Sequence, residues 1–160
     1  MLFEIIKDAL LAAMAAIGFG SISRVPKRSY IWCGLIAAIG HSARFLLMQT
    51  DIFGLHIVVA TGLAAFLIGT MAVFISPLAK TPAEAYLFPA LLPMIPGMYA
   101  YRSFAGLAMC LFGNTQEQFN IYFYRFAENG FICLAILFAM VICAIIPIFA
   151  FKSTAFTATR

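Results

Sequence analysis

Apolar residues run along this chain in blocks of about 20, separated by short polar links, and they do not alternate with the two-residue period of a half-buried strand. The first block extends from about Phe3 to Ile22, with Glu4, Lys7 and Asp8 near its start. The second runs from about Ser29 to Met48 and contains Arg44, and the third, Phe53 to Ser76, holds no Asp, Glu, Lys or Arg. The fourth spans about Glu84 to Phe112, and the fifth about Phe126 to Phe151, free of charge after Glu128. About 20 mostly apolar residues are needed to cross a hydrocarbon core roughly 30 Å thick. The pattern predicts an all-α integral membrane protein of about five transmembrane helices. They form a single transmembrane domain over residues 1–160, with helices at about 3–22, 29–48, 53–76, 84–112 and 126–151.

The links fit this division. Ser23–Arg28 joins the first two blocks, Gln49–Asp51 the next pair, and Pro77–Pro82 places a proline on each side of the following boundary. Gly113–Tyr124 is the longest and most polar link. Met1–Ser21 lacks a positive stretch ahead of its apolar core, so it reads as a retained helix and not as a cleaved signal.

Composition strengthens the membrane reading: 64% of the 160 residues are hydrophobic and 10% are charged, against roughly 25% charged in soluble domains. Too few charges are present to cover a water-facing surface, so lipid bilayer is the expected solvent. A net charge of +4 does not indicate nucleic acid, because the basic residues form no stripe with interleaved aromatics. No glycine-rich phosphate loop occurs. Cys33, Cys110, Cys133 and Cys143 are far apart within apolar blocks, and only His41 and His56 accompany them. They read as small hydrophobes, with no metal site, cofactor or disulfide expected. Nor is there a nucleophile with a base beside it, so an enzyme is not expected.

Arg24, Lys27, Arg28, Lys80, Lys152 and Arg160 fall on one side of the expected membrane, and only Lys7 and Arg125 on the other. The positive-inside rule makes the first side cytoplasmic, with the N-terminus outside and the C-terminus inside an inner (plasma) membrane. An odd number of crossings means that a second unit of the same kind would enter with inverted orientation, as in the inverted repeats of many secondary transporters. Small residues (Ala9, Ala12, Ala13 and Ala16; Gly34, Ala37, Ala38 and Gly40; Gly62, Ala65 and Gly69) permit close helix contact within the chain or with a partner, and a homo-oligomer is possible.

Candidate chemistry concentrates in the fourth block. Pro89, Pro93 and Pro96 each remove a backbone donor and clash with the preceding turn, and Gly97 follows with few steric limits. A broken helix at bilayer depth survives only in protein or against a wet cavity. The expected restart at about Met98 presents free N–H groups to an anion. Arg102, one turn on, offers a guanidinium fork suited to a carboxylate, and Tyr99 and Tyr101 offer hydroxyls. The competing reading is a kinked helix whose Arg102 reaches the interface. His41 and Arg44, spaced to share one helix face, form a second candidate. Arg44 lies about 15 residues, roughly 22 Å, into its helix, where a charge commonly marks a solute pathway. Its alternative is pairing with Asp51 or lipid headgroups. Histidine as a residue type is suited to carrying protons near neutral pH, its alternative here being plain packing. Arg125 and Glu128 are expected to pair, with Asn129, Gln116 and Gln118 of minor weight.

Several of these stretches resemble the threonine/serine exporter family. Gly18-Phe19-Gly20, Val25-Pro26-x-Arg28, Trp32-Cys33-Gly34-Leu35 and Ile39-Gly40-His41 are similar to the opening of that family's C-terminal half. Pro93-Met94-Ile95-Pro96-Gly97 and Tyr101-Arg102 are similar to a later motif. The resemblance covers about Leu10 to Phe151 and implies a small five-helix subunit of a split exporter. Its implied partner is a larger five-helix membrane subunit, and its implied substrate a succinate-like dicarboxylate, or threonine or serine. Residues and resemblance together give a subunit of a secondary transporter exporting small carboxylates or amino acids, driven by the proton gradient. Its expected substrate-binding residues are Arg102, Tyr99, Tyr101, Pro96, Gly97, Arg44 and His41. The alternative is a structural or assembly subunit of a membrane complex that touches no solute.

Overall fold

The structure, a computed structural model, describes residues 2–49, 53–113 and 115–151. Thr50, Asp51, Asn114, Lys152 and Arg160, which bear on the links, the Arg44 alternative and the charge balance above, lie outside the described residues. All regular structure among the described residues is helical: α1 (Leu2–Ile22), a 3-10 turn (Lys27–Ser29), α2 (Tyr30–Met48), α3 (Ile57–Ala79), α4 (Ala83–Leu91), a second 3-10 turn (Leu92–Met94), α5 (Gly97–Phe112) and α6 (Gln116–Ala150). Among the described residues, four helices are long and apolar enough to cross a bilayer: α1, α2 with its leading turn, α3 and α6. The fourth apolar block is divided between α4 and α5, of 9 and 16 residues. At 1.5 Å per residue these are about 14 and 24 Å long, each short of the roughly 30 Å hydrocarbon core.

Proline chemistry accounts for the division. Pro89 has no N–H for the Ala85 carbonyl, which instead faces the Cys33 thiol at 3.8 Å. Beyond the 3-10 turn, Pro96 has φ −78° and ψ 58°, and Gly97 N–H donates back to Ile95 O at 2.8 Å. That is an inverse γ-turn, and it resets the chain before α5 begins.

The chain divides into two compact units, residues 1–94 with 139–160, and residues 95–138. In the first, α1 and α2 pack antiparallel, as the Asp8–His41 and Gly34–Ile17 approaches show. A Cβ added at Gly34 would lie 3.1 Å from Ile17 Cδ1. Gly40 faces Ile68, and Leu55 N–H donates to Leu47 O at 3.0 Å, so α2 and α3 are antiparallel too. Gly62 meets Ala139 and Cys143, and Gly69 meets Ala144 and Pro147, so α3 runs parallel to residues 139–150 of α6. α4 and its 3-10 turn travel beside α2 in the same direction, with Cys33 at Ala85 and Arg44 at Met94. The core consists mainly of Ala, Gly and small β-branched residues, with large apolar side chains such as Leu10, Met14, Ile31 and Phe74 turned outward. This is the arrangement expected where lipid is the solvent and close backbone approach supplies the packing energy.

One end of this unit carries a buried hydroxyl network. Ser29 Oγ lies 3.2 Å from Thr81 Oγ1 and 3.3 Å from Tyr86 Oη. Ser76 Oγ donates to Thr81 O at 2.8 Å. Arg28 donates to Lys80 O at 3.3 Å, which brings the 24–28 and 80 links to the same end. Both links turn through left-handed backbone at non-glycine residues, Arg24 (φ 56°) and Lys80 (φ 49°).

The second unit is a helical hairpin of α5 and the first part of α6. Helix α6 starts at Gln116, within the stretch expected to be the longest link. The Thr115 hydroxyl accepts from Gln118 N–H at 3.3 Å and so caps the helix. Across the hairpin, Cys110 Sγ faces Phe119 O at 3.8 Å, Ser103 Oγ donates to Phe126 O at 2.9 Å, and Cys133 Sγ faces Pro96 O at 3.9 Å. Helix backbones nearly touch at Gly106, where a Cβ would lie 2.9 Å from Phe126 N and 3.0 Å from Tyr122 O.

Candidate functional site

The hairpin carries an open polar groove of about 610 Å³. Tyr99, Tyr101 and Arg102 enter it from α5, and Tyr122, Arg125, Glu128 and Asn129 from α6. Spacings of three and four place Tyr122, Arg125, Glu128 and Asn129 on one face of α6, and Tyr99 and Arg102 on one face of α5, with Tyr101 lining the groove from the position next to Arg102. Arg102 is exposed and makes no hydrogen bond or ion pair among the described residues. Arg125 lies over the Tyr122 ring at 6.0 Å, and Glu128 accepts from Tyr124 Oη at 3.5 Å, so the Arg125–Glu128 pair expected from sequence is replaced by two separate contacts. Asn129 Nδ2 donates to Arg125 O at 2.7 Å, one turn back along its own helix. The groove therefore holds two guanidiniums against a single carboxylate, with hydroxyls and an amide around them. Such a surface is suited to an anion that also accepts hydrogen bonds.

Pro96 and Gly97 form the start of α5 and lie outside the groove lining. Pro96 is buried, and Gly97 is exposed with nothing within 4 Å of an added Cβ. No side chain caps the first turn of α5.

His41 and Arg44 belong to the first unit. His41 is 6% exposed, and its Nδ1 lies 3.0 Å from Asp8 Oδ2. Its other ring nitrogen, Nε2, is buried without a partner. Arg44, one turn along, donates to the Met94 carbonyl at 3.4 Å and lies within Coulombic reach of Asp8. The backbone break leaves that carbonyl without its helical N–H, and the guanidinium supplies the missing donor. Seven expected site residues thus fall into two groups: Tyr99, Tyr101 and Arg102 share the hairpin groove beside Pro96 and Gly97, while His41 and Arg44 share a cluster with Asp8.

A signal for the packing of Asp8 toward α2 was present in the sequence, because Asp8, Ala12, Ala16 and Gly20 recur every four residues; the last three are buried and Asp8 is partly exposed. The α6 face of the groove was hidden because Tyr122 fell in a presumed loop.

Charge-poor helices, outward apolar side chains and an Asp8–His41 pair held between two of the helices define a multi-pass membrane protein. The chain belongs to the threonine/serine exporter family: the profile described as "Threonine/Serine exporter, ThrE" matches residues 8–149. An uncharacterized protein of Haemophilus influenzae is 31% identical over 140 residues, which cover 87% of this chain and 46% of that protein. The chain thus spans about half the length of that curated relative. No solved structure matches.

Proposed function

We propose that this chain is a non-enzymatic subunit of a secondary transporter that exports small carboxylates or amino acids, such as a succinate-like dicarboxylate, threonine or serine, across the bacterial inner membrane. Membership of an exporter family over residues 8–149 carries the reading. In this reading the substrate carboxylate docks on Arg102, with hydroxyl support from Tyr99 and Tyr101. Pro96 and Gly97 hold the α5 start open, and Arg44 is a second cation on the pathway.

A fifth crossing, made jointly by α4 and α5, completes the topology. Support comes from α3 and residues 139–150 of α6 running parallel, which requires the chain between them to return. Residues 83–94 already run back along α2, opposite to α3. Five crossings leave the N-terminus outside and put Arg24, Lys27, Arg28 and Lys80 in the cytoplasm. A larger membrane subunit contributes the complementary inverted set, a reading supported by the 46% share of the relative's length.

Deleting the chain tests this directly. Intracellular succinate or threonine rises and its release falls several-fold, measured by efflux from preloaded cells. Unchanged efflux of succinate, threonine and serine in that strain contradicts the proposal.

A further inference from the structure

We infer that Asp8 and His41 are the proton-carrying pair of this transporter; the inference rests on the transport reading above. Its basis is a buried imidazole joined on one side to a carboxylate and open on the other. Asp8 approaches His41 Nδ1 at 3.0 Å. With Asp8 ionised, Nδ1–H donates to it and Nε2 keeps its lone pair. That lone pair is buried and unpartnered, a costly state for a packing histidine and the required state for a proton acceptor. Asp8 side chain is 35% exposed, so the pair has an open end at the carboxylate and a closed end at the ring.

The relay balances without another reactant. A proton adds to Nε2 as the Nδ1 proton moves to Asp8 Oδ2, and the net charge of the pair goes from −1 to zero. Reversal, or loss of the Asp8 proton, restores the charge. While Asp8 is ionised it compensates Arg44, which it reaches electrostatically. Neutralising Asp8 leaves the Arg44 guanidinium without that counter-charge, at the Met94 carbonyl where the backbone is broken. Proton binding and carboxylate binding then favour each other by linkage.

Among the described residues, no other ionisable group competes from the elements packed on α2; Lys27 and Arg28 of the 3-10 turn that leads into it are exposed. On α1, Glu4 and Lys7 are exposed. Helix α3 contains no Asp, Glu, Lys, Arg or His, its polar residues being Thr61, Thr70 and Ser76, and His56 only caps its start. On α4, Glu84 is exposed and Tyr86 is engaged with Ser29, while Leu92–Met94 has nothing to titrate.

Two measurements test the pair. In the first, nitrogen-15 NMR follows the His41 imidazole of the full chain in lipid bilayers from pH 5 to 8. Proton uptake at Nε2 as the pH falls, with a pH dependence that changes in Asp8→Asn, is the expected result. A ring neutral throughout, or one titrating identically in the variant, overturns the assignment. In the second, membrane vesicles containing the whole transporter take up labelled succinate or threonine. Asp8→Asn loses at least tenfold of the uptake driven by a pH gradient, but less than threefold of exchange at equal pH. An equal fall in both modes indicates a structural role and overturns the proposal. If wild-type vesicles move none of these solutes, the transport reading fails, while the NMR titration still decides whether the pair carries a proton.

Discussion

Arg44 and Arg102 each sit in an otherwise apolar helix, yet the two compact units treat them in opposite ways. Arg44 has its needs met inside its own unit: a carboxylate in Coulombic reach, and a carbonyl that a proline-broken backbone has left free. Arg102 has no such partner among the described residues and opens onto a groove with a second guanidinium. A charge satisfied by the fold can hold structure or respond to a neighbour's protonation. One the fold leaves unsatisfied waits for something from outside. The contrast supports the proposed division, with coupling in the first unit and carboxylate recognition in the hairpin.

Substitutions can break this contrast, beginning with the largest effect. Arg102→Lys keeps the charge but loses the two-pronged geometry, a difference of about 1.5–3 kcal/mol for a charge-assisted contact. The initial efflux rate of labelled succinate or threonine is expected to fall tenfold or more, with thermal stability within a degree or two of wild type. Arg44→Met differs in adding a loss of stability, because it leaves the Met94 carbonyl unpaired and lowers stability by about 1–3 kcal/mol in a thermal melt in detergent. If both variants affect only stability, the distinction between the two arginines disappears.

Gly106→Leu sharpens the claim about the hairpin. An added side chain meets the α6 backbone at Tyr122 and Phe126 and must push the helices apart, at about 1–3 kcal/mol. The expected reading is early loss of hairpin protection in hydrogen exchange, with the Ser29–Tyr86 end unchanged. Tyr86→Phe does the converse, removing one hydroxyl from the buried network for about 1 kcal/mol. Smallest of all is Arg24→Gly, which relieves left-handed backbone at a helix end and should raise stability slightly, by under about 1 kcal/mol in a thermal melt. A cation standing where glycine is favoured is consistent with selection for charge on that side of the membrane.

Much of this was legible in the sequence because lipid imposes simple rules. Long apolar blocks specify helices, and prolines at 89, 93 and 96 specify where one must stop. Helix boundaries near polar residues were harder. Thr115 caps α6 ten residues before the expected start, since a local hydroxyl outweighs the polarity of the following stretch. The groove partners of Arg102 were out of reach because pairing α5 with α6 depends on Gly106 and Ser103, whose role is tertiary. The Asp8–His41 pairing was out of reach for a different reason. A charge near a chain end normally faces headgroups, and only its alignment with Ala12, Ala16 and Gly20 puts Asp8 on the face of α1 that packs.

Arginine footprinting tests carboxylate recognition most directly. Native membranes containing the intact transporter are treated with phenylglyoxal, with or without succinate or threonine, and each arginine's modification is read by mass spectrometry. The account predicts that the carboxylate protects Arg102 several-fold while Arg24 and Arg28 react as before. Equal modification of Arg102 with and without succinate, threonine or serine contradicts it.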